Sequence, residues 1–174
     1  MGYTTEFDGE FAITPPLKLE HREYLAKFSE TRRMLRDPAI AAELADPLRE
    51  AVGLPIGEHA DYFVGGGGYA GQDRDASIVD YNMPAPKQPC LWCKWAPNEI
   101  GTALVWDERE KFYYYVPWLT YLIEHFFKPW GYTLNGEVLW QGEDSDDRGV
   151  IRVKDNEVRH AVTPLQIPHW DDME

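Results

Sequence analysis

Serine is scarce in this chain, at three residues (Ser29, Ser77, Ser145), and cysteine is scarcer, at two (Cys90, Cys93). Two cysteines cannot build a disulfide framework. No serine stands in a GxSxG elbow and no HExxH occurs, so neither hydrolase motif is present. Long apolar runs are missing as well. The longest uncharged aromatic and aliphatic run, 112–123, contains Pro117 and falls short of the roughly 20 residues of a membrane span. Basic residues are the third shortage: 17 Lys and Arg stand against 30 Asp and Glu, for a net charge of −13. That balance speaks against duplex DNA or an anionic membrane as partner, because phosphate contacts need a basic face. The first seven residues carry neither a basic segment nor an apolar one, and Glu6 stands where a myristoylation signal has Ser or Thr. A cytoplasmic location is the expectation.

Apolar residues make up 44% and charged residues 27% of the 174 positions, a globular composition for a chain long enough to bury a core without a disulfide or metal staple. Residues 3–13 alternate, with Phe7, Gly9 and Phe11 on one face of a strand and Glu6, Asp8 and Glu10 on the other. Leu17, His21, Tyr24, Leu25, Phe28, Thr31 and Leu35 recur at helical spacing, and Asp37-Pro38 is expected to stop that helix. Asp46-Pro47 reads as the start of a short helix that Gly53 ends. From 54 to 89 the pattern breaks down around Gly65-Gly66-Gly67-Gly68, with Tyr62–Val64 as its one short strand. Leu91–Trp95 and Thr102–Trp106 read as strands, 113–128 as a second helix ended by Gly131, and Leu134–Gln141 and Val150–Lys154 as a last strand pair. The order predicts an α+β domain over 1–160 of the ferredoxin-like split βαβ kind, with two helices on one face of an antiparallel sheet. It carries an irregular insertion at about 38–89, and 161–174 is expected to be an extended tail.

The opening Gly2-Tyr3-Thr4-Thr5-x-Phe7-x-Gly9-x-Phe11, the stretch Thr31-Arg32-Arg33-Met34 and the block 136–149 resemble a family of small bacterial and viral proteins. The likeness spans nearly the whole chain. It implies no activity and brings no site residues with it.

Cys90-Leu91-Trp92-Cys93 has CxxC spacing, but structural zinc needs four ligands and no second pair exists, so neither metal nor cofactor is expected. The loop 143–149 has Asp144-x-Asp146 but lacks the length and terminal Glu of an EF-hand. The glycine run ends in Gly71-Gln72-Asp73 where a phosphate loop has Gly-Lys-Ser/Thr, which leaves Gly65, Gly66, Gly67 and Gly68 as a flexible loop or a lid. Two features suggest a ligand. Arg32, Arg33 and Arg36 cluster in the stretch 1–37, where 6 bases nearly balance 7 acids, and guanidinium forks suit phosphate or carboxylate. Seven Trp and ten Tyr exceed what inert filling needs. An uncovered sheet face could present Trp92, Trp106, Trp118 and Tyr121 as a stacking platform.

The first expectation is a non-catalytic module that binds a small anionic, nucleotide-like ligand through these rings and arginines. A second is an acidic interaction or inhibitor protein that mimics nucleic acid for a basic protein partner. A third is a hydrolase or transferase using His21 or His125, which no residue spacing supports.

Overall fold

In chain order the elements are β1 (Glu6–Thr14), α1 (Leu19–Ser29), β2 (Met34–Arg36), α2 (Pro38–Ala41), α3 (Pro47–Ala51), β3 (Ile78–Pro84), β4 (Trp95–Pro97) and β5 (Ala103–Trp106). They continue with α4 (Tyr115–Leu122), a π-helical turn (Ile123–Phe127), α5 (Lys128–Trp130), β6 (Thr133–Gln141), β7 (Arg148–Lys154), β8 (Glu157–Val162) and a 3-10 turn at Trp170–Asp172. The computed structural model describes residues 2–65, 74–162 and 170–173. The chain forms two units, Met1–Leu17 with Lys94–Glu174, and Lys18–Cys93. The inserted unit thus begins at Lys18, earlier than the break expected near residue 38, and takes α1 with it. The mixed α+β class holds, with antiparallel sheets and few helices.

In the first unit, β1 lies inside a six-stranded sheet of order β4-β5-β1-β6-β7-β8, antiparallel at every pairing. Residues directly opposite one another in such a sheet share a face. Phe7 stands opposite Trp140, Phe11 opposite Leu104 and Gly136, and Ile13 opposite Leu134. Val138 continues that face to Ile151 on β7. Except for the half-buried Phe7, these side chains are buried. The alternate residues Glu6, Asp8 and Glu10 are all exposed. The period-2 pattern of the sequence therefore sorts β1 as expected, apolar inward and acidic outward.

The helix α4 and its π turn cover the apolar face. The Tyr115 ring meets Phe7 at 4.9 Å and Trp140 at 5.9 Å between centroids. Leu119, Leu122, Ile123 and Phe126 are buried, each contributing roughly 1.5–3 kcal/mol by leaving water. The outer face of β7 and β8 takes the C-terminal turn: Arg159 stacks on the Trp170 ring at 4.7 Å and donates to its carbonyl at 2.9 Å. Of the tail expected to be extended, 161 and 162 finish β8, 170–172 form the 3-10 turn, and 163–169 lie outside the described residues.

The second unit holds α1, α2, α3 and the two-stranded β2–β3 sheet. Its segment 61–65 has no regular secondary structure, although most of it is buried. Buried peptide groups need partners, and here side chains provide them. Arg33 donates to the carbonyls of Asp61 (2.6 Å) and Phe63 (2.7 Å), Gln88 also to Asp61, and the Tyr24 hydroxyl to Tyr62. The amides of Val64 and Gly65 donate to the buried Asp46 carboxylate, which Arg49 balances at 2.6 Å.

Several expected elements need correction. The first helix ends at Ser29, because Thr31 turns its hydroxyl back to the Lys27 carbonyl and the Arg33 amide pairs with the Leu91 carbonyl. Thr31 and Leu35 matched the helical spacing by coincidence. Asp37, read as a stop, starts α2 by accepting from the amides of Ala39 and Ile40. Asp46 precedes α3 without capping it, since its carboxylate serves 64 and 65 instead. Tyr62–Val64 is not a strand, whereas 78–84, read as irregular, is β3. The strand expected at 91–95 begins only at Trp95, so Cys90 and Cys93 lie on a loop.

Candidate functional site

The chain approaches α4 through an unusual stretch. Glu108, Lys111 and Tyr114 all take left-handed backbone conformations, at φ 68°, 62° and 57°. That geometry costs a residue with a Cβ about 1–2 kcal/mol, so the surroundings must enforce it. They do. The buried Lys94 ammonium donates to the carbonyls of Glu110 and Lys111. The Trp106 indole donates to Arg109 at 3.1 Å and the Trp95 indole to Tyr115 at 2.8 Å. The outcome is a phenol held in the open at the head of the helix, with Tyr114 59% exposed, although aromatic side chains are normally drawn inward.

Two concavities flank this point. A groove of about 620 Å³ runs between the helix start (Tyr114, Tyr115, Val116, Pro117) and Trp140 with the β8 residues His160, Ala161 and Val162. A recess of about 520 Å³ is lined by Tyr3, Thr5, Phe112, Tyr113, Tyr114, Tyr115 and Asp147. Tyr114 and Tyr115 border both. The polar rim is tied together by Asp147, which accepts from the Tyr3 hydroxyl at 2.7 Å and the Trp140 indole at 3.2 Å. The Tyr3 amide in turn donates to the Tyr113 hydroxyl, and the Thr4 amide to Glu143.

The protonation state of this rim follows from its surroundings. Burial, then the charge of Asp147 and the neighbouring Tyr3, pushes the Tyr115 phenol up to about 12. For Tyr3, the Asp144 amide pulls the pKa down, but hydrogen bonding to Asp147, burial and the nearby carboxylates together raise it. Both phenols are neutral at physiological pH. The groove therefore offers ring faces, hydroxyl groups able to donate or accept, and the His160 imidazole.

The residues expected to bind the ligand fall elsewhere. Arg33, 3% exposed, stacks on Phe28 and holds the backbone at 61 and 63. Arg36 lies on the Phe63 ring and pairs with Asp75 and Ser77. Both guanidinium groups serve the buried segment 61–65 and its surroundings, not an open anion clamp. Arg32 alone of the three is partly open, on Tyr81. Trp118 and Tyr121 are buried beneath the helix, in edge-to-face contact at 5.4 Å, so they form no platform. Trp106 is half-buried against Phe7, and Trp92 is half-buried in the other unit. The exposed face of β1 is acidic, and Phe7, Trp95, Tyr115 and Trp140 gather on the covered face. Of the expected lid, Gly65 is buried with its amide on Asp46, and Gly66, Gly67 and Gly68 lie outside the described residues.

Tyr3, Tyr114, Tyr115, Trp140, Asp147 and His160 are the lining residues that pattern reading missed. The run Tyr113-Tyr114-Tyr115 was a signal, since three consecutive phenols cannot all enter one helical stripe. Its left-handed turn was not legible, because nothing local in Tyr114 demands it.

Comparison of this chain with protein-family models, with curated proteins and with solved structures finds no significant match. Among the described residues no helix is long and apolar enough to cross a membrane.

Proposed function

We propose that the protein is a non-catalytic binding module that seats a flat, ring-bearing part of a small ligand in the groove at the start of α4. The observation that carries this reading is Tyr114, an exposed ring fixed in a left-handed conformation between two adjoining concavities. Conformational cost and outward display of an aromatic ring together are the mark of a residue kept for recognition. Tyr115, Trp140 and Pro117 supply apolar faces, and the neutral Tyr115 hydroxyl and His160 supply direction. The test is a panel of ring-bearing small molecules screened by thermal shift and titrated by tryptophan fluorescence, with Tyr114→Gly as the comparison. Glycine tolerates the same backbone, so the variant folds while lacking the ring. Hits that bind the wild type and not the variant support the reading; hits that ignore the substitution remove it.

A second reading, of an acidic protein-interaction surface, draws support from β1. Glu6, Asp8 and Glu10 form a row on its exposed face, spaced at about 7 Å by the two-residue repeat of a strand. A basic partner captured at low salt and released at high salt, and lost in a Glu6→Gln, Asp8→Asn, Glu10→Gln variant, is the expected behaviour. On fold, the order β4-β5-β1-β6 sets the strand after α4 beside β1 and keeps β5 next to β1 on the other side. That order supports a relation to the ferredoxin-like split βαβ arrangement, extended here by β7 and β8.

A further inference from the structure

Arg32 and Arg74 lay their guanidinium groups on the same ring, that of Tyr81, at 4.2 and 4.6 Å from its centroid. The two charges are therefore no farther apart than those two distances laid end to end. Arg32 is aligned by its Nε on the Tyr81 carbonyl (3.0 Å) and its Nη2 on Asn82 (3.2 Å). Arg74 is exposed and makes no hydrogen bond among the described residues. Arg36, Arg49, Arg109, Arg152 and Arg159 each hold a carboxylate within salt-bridge distance. Arg32 and Arg74 hold none among the described residues. In a chain with 30 acids and 17 bases, two cations that share one ring and pair with no carboxylate among the described residues run against what a solvated surface provides by default, since like charges repel. Beside them on β3, Val79 and Met83 are 62% and 50% exposed.

We propose that Arg32, Tyr81 and Arg74 form a site for the phosphate of a small organic phosphate monoester, with Val79 and Met83 receiving its apolar body. This site is independent of the groove at α4 and lies in the other unit. With the Nε and one Nη2 proton of Arg32 taken by Tyr81 and Asn82, the free end of its guanidinium together with that of Arg74 still calls for more than one pair of acceptor oxygens. A phosphate monoester presents three, whereas one fork satisfies a carboxylate. The Tyr81 ring holds the cations in place by cation–π attraction without consuming their N–H donors. An attached ring or alkyl group would lie over the exposed Val79 and Met83, whose apolar surface gains from being covered.

The experiment is isothermal titration of the full chain with phenyl phosphate, inorganic phosphate and benzoate at neutral pH. Phenyl phosphate is expected to bind saturably and more tightly than either of the others. Arg32→Gln and Arg74→Gln are each expected to weaken it by about tenfold or more. Arg74 is exposed, so its variant folds even if substitution at Arg32 disturbs β2. Absence of saturable binding in the millimolar range, or binding untouched by Arg74→Gln, overturns the site. Equal affinity for phenyl and inorganic phosphate overturns the role of Val79 and Met83. Loss of phenyl phosphate binding in Tyr114→Gly transfers that ligand to the α4 groove and also overturns the proposal.

Discussion

Gly149 and Trp140 face each other across the β6–β7 pair, and the indole occupies the space where a side chain at 149 would be. A Cβ there would overlap the Trp140 ring on one side and the Ala161 carbonyl on the other. The ring can move only by leaving the groove wall, and the carbonyl belongs to the sheet. Gly149→Ala is therefore expected to cost about 1–3 kcal/mol by overpacking, lowering Tm by several degrees in a chain this size. Because the displaced ring lines the groove, any ligand of the groove should also bind more weakly. A calorimetric scan with an unchanged Tm would show that the strand accommodates the methyl group.

Tyr114→Gly should separate stability from binding. Removing a left-handed tyrosine relieves roughly 1 kcal/mol of backbone cost, partly offset by the greater freedom of glycine in the unfolded chain. Urea unfolding is expected to give a midpoint equal to or above that of the wild type, while groove ligands are lost. A large fall in the midpoint would mean that the ring packs structurally.

Arg33 and Arg32 are sequence neighbours with opposite prospects. Arg33→Met takes the donor from the Phe63 carbonyl and leaves the Asp61 carbonyl to Gln88 alone in a buried place, an expected loss of about 1–3 kcal/mol. Arg32→Gln removes a partly open side chain and should change urea stability by less than about 1 kcal/mol. Equal effects at the two positions would contradict the division between a structural and an open guanidinium.

Alkali should unfold the protein earlier than its carboxylates alone would suggest. Tyr115 keeps its proton in the fold up to about 12, while an unfolded tyrosine releases it near its ordinary 10.0. Between those values the unfolded chain binds fewer protons, so stability falls as pH rises through that window. Tyr62, raised chiefly by burial, acts in the same direction. Tyr115→Phe is expected to flatten the alkaline slope of the unfolding free energy. A slope unaltered by that substitution would show that the phenol is not shielded in the fold.

The legible parts of this fold are those where local pattern and tertiary environment agree. The alternation of 6–14, the stripe of Leu119, Leu122, Ile123 and Phe126, and the stop at Gly131 with φ 86° all follow from single-element chemistry. The arginines were misread because a cluster in sequence says nothing about which way each side chain goes. Arg33 and Arg36 turn inward to complete an irregular segment that lies far along the chain, at Asp61 and Phe63, a demand that no local window contains. The platform of rings failed for a related reason. Composition gave the number of tryptophans and tyrosines, but β1 and β6 chose the face, setting Phe7 and Trp140 inward and the acids outward. The groove itself combines a turn at 114 with strand residues at 140 and 160, which become neighbours only once the sheet has formed.

The most direct test of the binding role is chemical-shift mapping of ring-bearing fragments on isotope-labelled protein. The expected result is that fragments perturb the amides of Tyr114–Trp118, Trp140 and His160–Val162 together, and that Tyr114→Gly abolishes those shifts. Fragments that bind but perturb only other surfaces, leaving the start of α4 and the end of β8 unmoved, would contradict it.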